Sequence, residues 1–201
     1  MVSVERYRLL YLAGGALFLA VAAAGGAWWE LIVGSASSPV MYLGFSPFEL
    51  RVELLGSQLV TPSPFMNALF LSARLLAIFG SATIIAGSLL RGRAWSRRLL
   101  NLRPFTMAVG FGVLVLLGVT AVASLFYPLV AQVAPDFREA LIPYMSRHIT
   151  LNLYPLTHTE SFVKASVTSQ FTAWYWLALL SGALCLAGAL MRRKEEKRQP
   201  P

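Results

Sequence analysis

Four long apolar runs, at 9–29, 65–90, 105–130 and 171–191, divide this 201-residue chain. Each approaches or exceeds the ~20 residues that cross a bilayer, so the pattern predicts four transmembrane helices. Between them lie an outer loop at 30–64, a basic loop at 91–104, a second outer loop at 131–170 and a basic tail at 192–201. In the long loops the period changes from helical to two. Leu50, Val52 and Leu54 alternate with Glu49, Arg51 and Glu53, the mark of a half-buried strand. A shorter run at 40–44 precedes it across the turn Gly44-Phe45-Ser46-Pro47. In the second loop, Leu151 and Leu153 alternate with Thr150, Asn152 and Tyr154 within 148–156, and Val163, Ala165 and Val167 form a further candidate. Asp136 could cap a short helix reaching Met145. Neither loop offers enough strand for a stable sheet alone, so one sheet shared between them is expected.

The stretch from Glu49 to Arg91 finds an echo from Thr150 to Arg192. One constant offset pairs Leu50 with Leu151, Leu76 with Leu177, Ala77 with Ala178, Gly87 with Gly188 and Arg91 with Arg192. This predicts a tandem duplication of a helix–strands–helix unit, at 1–91 and 103–192, with a pseudo-two-fold axis along the membrane normal. The expected fold is a single membrane domain, an all-α four-helix bundle with an extracytoplasmic β-rich cap. Ala77, Ser81, Ala82 and Ala86 in the second span, and Ala178, Gly182, Ala183 and Ala187 in the last, have the small-residue spacing that lets helices approach in lipid. They predict a contact between those two spans or with a neighbouring subunit.

Charge then orients the layout. The chain is 57% hydrophobic and only 13% charged, with a formal net charge of +8. A basic patch on a soluble domain would suggest nucleic acid. Here Arg6 and Arg8 precede the first span, Arg91, Arg93, Arg97, Arg98 and Arg103 fill the short loop, and Arg192, Arg193, Lys194, Lys197 and Arg198 follow the last. The positive-inside rule puts both termini in the cytoplasm of a multi-pass cell-membrane protein, with both long loops outside. The first run has features of a signal peptide, but its length and the Trp28-Trp29 pair read as an uncleaved span with an interfacial anchor. Cys185 is the single cysteine, so no disulfide can form within the chain.

Candidate chemistry is sparse. Arg74 is the one charge well inside a span, and no acidic residue lies in any span to pair with it. It reads either as a structural or snorkelling charge or as a functional one near a pathway. His148 and His158 are the only histidines, too few ligands for a closed metal site. No hydrolase, zinc-protease, phosphate-loop or dinucleotide motif occurs, and no catalytic residue, cofactor or metal is expected. Four spans with cytoplasmic termini and an external strand-rich cap resemble, in topology, the claudin-like tetraspan layout. The first-loop cysteine pair and Gly-Leu-Trp signature of that group are absent, and no residue role is carried over.

The expected function is therefore non-enzymatic. The cap would bind other membrane protein subunits or a second copy, as scaffold, adhesion protein or accessory subunit, through strands bearing Glu49, Arg51, Glu53, Thr150 and Asn152. The alternatives are a small oligomeric transporter or channel with Arg74, Ser72, Ser81, Thr83, Thr120 and Ser124 near its path, and an outer-surface enzyme.

Overall fold

The computed structural model describes residues 6–35, 37–58, 63–90, 110, 146–152 and 162–196. Their elements are α1 (Arg6–Ala24), β1 (Trp29–Ser35), β2 (Ser38–Ser46), β3 (Glu49–Leu54), β4 (Ser57–Gln58), α2 (Pro64–Leu89), β5 (Ser146–Asn152), β6 (Phe162–Phe171) and α3 (Ala173–Glu196). They fall into two compact units, one of helices and one of strands.

The strands form one antiparallel sheet in the order β4-β3-β2-β1-β6-β5. Both long loops contribute, so the shared sheet expected from the alternating segments is present, with β3 and β5 on opposite sides of its centre. One face is apolar because every second residue points the same way. Leu31 stands opposite Leu43 and Ser169, and Leu43 opposite Val52. Trp29, Leu31, Val33, Leu43, Phe45, Val52 and Val167 are buried. Across the β1–β6 pair, Trp29 Nε1 donates to Ser169 Oγ at 3.0 Å, giving a buried indole its partner. Thr172 closes the strand end: its amide donates to Trp28 O at 2.9 Å and its hydroxyl to Ala27 O at 2.5 Å.

Turns follow local chemistry. Between β2 and β3, the buried Ser46 hydroxyl accepts the amides of Phe48 (3.2 Å) and Glu49 (3.1 Å), so the turn satisfies its own donors. Between β3 and β4, Leu55 and Gly56 both have positive φ, 50° and 76°. Such a two-residue primed turn matches strand twist but favours asparagine or glycine at its first position.

Among the described residues, three helices are long and apolar enough to cross a membrane. At the start of α2, the Ser63 hydroxyl accepts the Met66 amide at 3.3 Å, with Pro64 in the first helical position. In the helical unit α1 is the shared partner. Tyr11 of α1, Ile84 of α2 and Cys185 of α3 form one buried cluster. Gly14 lies so close to α3 that a Cβ there would stand 2.6 Å from Cys185 Sγ and 2.9 Å from Ser181 O. At the same place the Ser181 hydroxyl donates to Gly14 O at 2.8 Å. Gly15 faces α2, where a Cβ would stand 3.1 Å from side-chain carbons of both Ile84 and Ile85.

The all-α four-helix bundle is thus corrected: the described residues form three long helices and a six-stranded sheet. Apart from Gly110, the run at 105–130 lies outside the described residues, as does the short helix expected near Asp136. The tandem duplication is not kept either. At the constant offset, the first turns of α2 at 64–70 correspond to 165–171, which is strand β6. Apolar composition matched the two segments, but 167–171 pairs with β1 as a strand while 64–70 is helical.

Candidate functional site

On its second face the sheet is polar. Glu30, Gly44 and Arg51 stand opposite one another across β1, β2 and β3, and Gln170 stands opposite Glu30 on β6. Gln170 Nε2 donates to Glu30 Oε1 at 2.6 Å. Arg51 reaches along its own strand to Glu53 Oε1, at 2.6 Å from Nε. The gap that Gly44 leaves is filled by Tyr42, whose hydroxyl would lie 2.8 Å from a Cβ at that position. The Arg51 guanidinium sits 5.9 Å from the Tyr42 ring centroid. Burial raises the Tyr42 phenol above its ordinary value of 10.0, the charge on Glu30 adds to this, and Arg51 opposes it. Hydrogen bonding to Glu53 raises the Arg51 guanidinium above its ordinary value. This face is a half-buried charged surface whose groups largely answer one another.

Arg74 occupies a different setting. Its Nε donates to Ala22 O at 2.9 Å and its Nη2 to Ala23 O at 2.7 Å. These are carbonyls of the last turn of α1, which have no partner within the helix and carry the negative end of its dipole. The chain leaves α1 through Gly25 and Gly26, at φ 71° and 103°. A Cβ on Gly25 would stand 2.9 Å from Arg74 Nη2. The guanidinium therefore caps a helix and fits over a glycine exit. Nothing in the sequence near Arg74 indicates this, because the carbonyls it meets are about fifty positions away.

The remaining candidates separate. Ala77, Ser81, Ala178 and Gly182 are buried, Ala86 and Ala187 half-buried, and Ala82 and Ala183 exposed. Close approaches to α1 occur at its Gly14 and Gly15, which were not singled out from the sequence, and at Gly188 of α3, where a Cβ would stand 3.0 Å from Tyr7 O. Ser72 donates to Ala68 O and Ser81 to Ala77 O, each at 2.7 Å, and Thr83 to Gly80 O at 2.7 Å. Those hydroxyls serve their own helix; Thr120 and Ser124 lie outside the described residues. Glu49 and Glu53 are half-buried and Arg51 exposed on β3, while Thr150 and Asn152 belong to β5, with three strands between. His148 falls in β5, and His158 lies outside the described residues. The Trp28-Trp29 pair, read from the sequence as an interfacial anchor, is instead buried, and Trp28 meets Phe48 edge-on at 5.8 Å. Among the described residues no group of three or more histidine, cysteine, aspartate or glutamate side chains could hold a metal ion.

No protein-family model and no curated protein matches the chain.

Proposed function

We propose that this is a non-enzymatic integral membrane protein whose sheet lies outside the membrane and binds another protein, as scaffold, adhesion protein or accessory subunit. The basic residues flanking the helices support cytoplasmic termini and an outer location for both long loops.

Leu55 carries this reading. It is 75% exposed at the β3–β4 turn and has φ 50°. A left-handed conformation costs a non-glycine residue about 1–2 kcal/mol. An exposed leucine side chain returns none of that through burial. Two local disadvantages at one tip are the pattern expected where the side chain serves a contact outside the chain. The tip also lies at the end of the sheet opposite Trp29 and Phe171, where the chain joins α1 and α3. By contrast, the hydroxyls of Ser72, Ser81 and Thr83 are bonded within their own helix, which lends less support to a transport path.

The test places a photo-crosslinking residue at 55 in the full chain in its native membrane, with position 57 as control. A stoichiometric adduct at 55 and none at 57, with the partner no longer co-purifying with Leu55→Asn while thermal stability is kept or raised, supports the reading. Lone, functional protein with no adduct, or substrate flux in liposomes by the purified chain, refutes it.

A further inference from the structure

The contacts of α1 set the depth of Arg74. Gly15 faces Ile84 and Ile85, and Arg74 faces Ala22 and Ala23, so α1 and α2 run antiparallel. Nine residues beyond Gly15, or about 13 Å along the helix, the end of α1 at Ala24 is level with Leu75 and Leu76. By the same count from Gly14 and its neighbours Ser181 and Cys185, Ala24 is level with the start of α3 at Ala173. Two of the three helices therefore terminate at the level of Arg74, while α2 continues to Pro64. From Ala173 to Met191, ahead of the basic run that begins at Arg192, α3 is about 28 Å long and matches the hydrocarbon thickness of a bilayer. Its start marks the outer interface, and Arg74 stands there, not in the hydrocarbon.

At that depth, among the described residues, Arg74 is incompletely answered. A guanidinium has five N–H donors. Two go to the carbonyls of Ala22 and Ala23, and no carboxylate occurs in α1 or α2. The carbonyls are dipoles and leave the positive charge uncompensated. On the membrane side of Arg74, Leu75, Phe79 and Ala82 follow at helical spacing and are exposed. A cation at the interface with donors that no described residue accepts, above an exposed apolar stripe, complements a phospholipid: an anionic phosphate joined to acyl chains.

We propose that Arg74 binds the phosphate of an outer-leaflet phospholipid whose acyl chains lie along Leu75, Phe79 and Ala82. Phosphate is the shared chemistry of a lipid headgroup and a free anion, and the stripe assigns it to the lipid. This inference rests on the helices crossing the membrane and does not depend on what the sheet binds.

Native mass spectrometry of the full chain, delipidated in detergent and titrated with phosphatidylglycerol, diacylglycerol or inorganic phosphate, tests it. The wild type is expected to retain one phosphatidylglycerol, with retention roughly tenfold weaker in Arg74→Gln. Diacylglycerol should bind no better than to the variant, and inorganic phosphate should not compete. Ala82→Trp, which obstructs the stripe and leaves Arg74 intact, should also weaken retention and covers the case in which Arg74→Gln does not fold. Equal retention of diacylglycerol and phosphatidylglycerol by the wild type would overturn the proposal. So would undiminished retention in folded Arg74→Gln or in Ala82→Trp, or displacement by inorganic phosphate.

Discussion

Replacing Gly14 with alanine tests how the helical unit is held together. The added methyl would meet Cys185 Sγ at 2.6 Å and the backbone carbonyl of Ser181 at 2.9 Å, both inside any real Cβ contact. Overpacking of this kind costs about 1–3 kcal/mol. Separating the helices to relieve it also stretches the Ser181–Gly14 hydrogen bond, worth about 0.5–1.5 kcal/mol. Against this, alanine gains about 1 kcal/mol over glycine in helix propensity. The expected net loss is about 1–3 kcal/mol, roughly a 5- to 150-fold fall in the folding equilibrium constant. The assay is equilibrium unfolding of the full chain in mixed micelles with increasing SDS, followed by tryptophan fluorescence. Gly15→Ala supplies the internal comparison, because its methyl meets side-chain carbons of Ile84 and Ile85 at 3.1 Å, with no backbone atom among its nearest neighbours, and should cost less. Adding Cys185→Ala to Gly14→Ala should recover part of the loss, since the sulfur leaves but the Ser181 carbonyl stays. Stability of Gly14→Ala equal to the parent, or a larger loss for Gly15→Ala, would refute the close approach of α1 and α3.

Other outcomes follow from the sheet. Trp29→Phe should cost about 1–3 kcal/mol by leaving the buried Ser169 hydroxyl without its donor, and Ser169→Ala should cost little more in that background, as a double-mutant cycle would show. Because the Tyr42 phenol is raised in the folded state, stability should be level below pH 10.0, its ordinary value, and fall as pH rises through the raised one. Tyr42→Phe should remove that alkaline slope, and absorbance titration of the phenolate should report the displaced midpoint. Leu55→Asn should stabilise the fold by about 1 kcal/mol through turn geometry, read as a higher thermal midpoint. Arg51→Gln should change stability by no more than about 0.5 kcal/mol, because its ion pair with Glu53 is on the exposed side of the sheet.

Period-two alternation was legible at Glu49–Leu54 because charged residues stand between apolar ones, and the structure has a strand there. β1 was not legible. Trp28, Trp29, Leu31 and Val33 continue the apolar run of α1, and the break between helix and strand is only Gly25-Gly26. Two glycines within a stretch rich in alanine and glycine carry no distinctive signal until their positive φ values are known. A tryptophan pair at a helix end suits a headgroup belt equally well, and only the register with Phe45 and Phe171 places Trp29 in the core. The presence of α1, α2 and α3 was readable from apolarity, although the run at 9–29 continues past the end of α1 at Ala24 to β1. Their packing was not, since the many small residues in α2 and α3 gave no sign that Gly14, Gly15 and Gly188 would be the ones at the contacts with α1. The function of Arg74 as a cap was likewise hidden, because charge inside an apolar run shows that a partner is needed without showing which.

The pairing of β1 with β6 has a consequence for biosynthesis. Trp29 and Ser169 are 140 positions apart, yet their strands are neighbours in the sheet. At about 5–20 residues per second, β1 leaves the ribosome some 7–28 s before its partner. The β1–β2–β3 meander can form from local contacts during that interval, with the outward hydrogen-bonding groups of β1 still unmet. The sheet is finished only when the segment leading into α3 arrives, so maturation of the N-terminal third waits on the translation of nearly the whole chain. Truncation before β6 should therefore yield a nascent protein that holdase chaperones retain, and the length at which that retention ends would time the closure of the sheet.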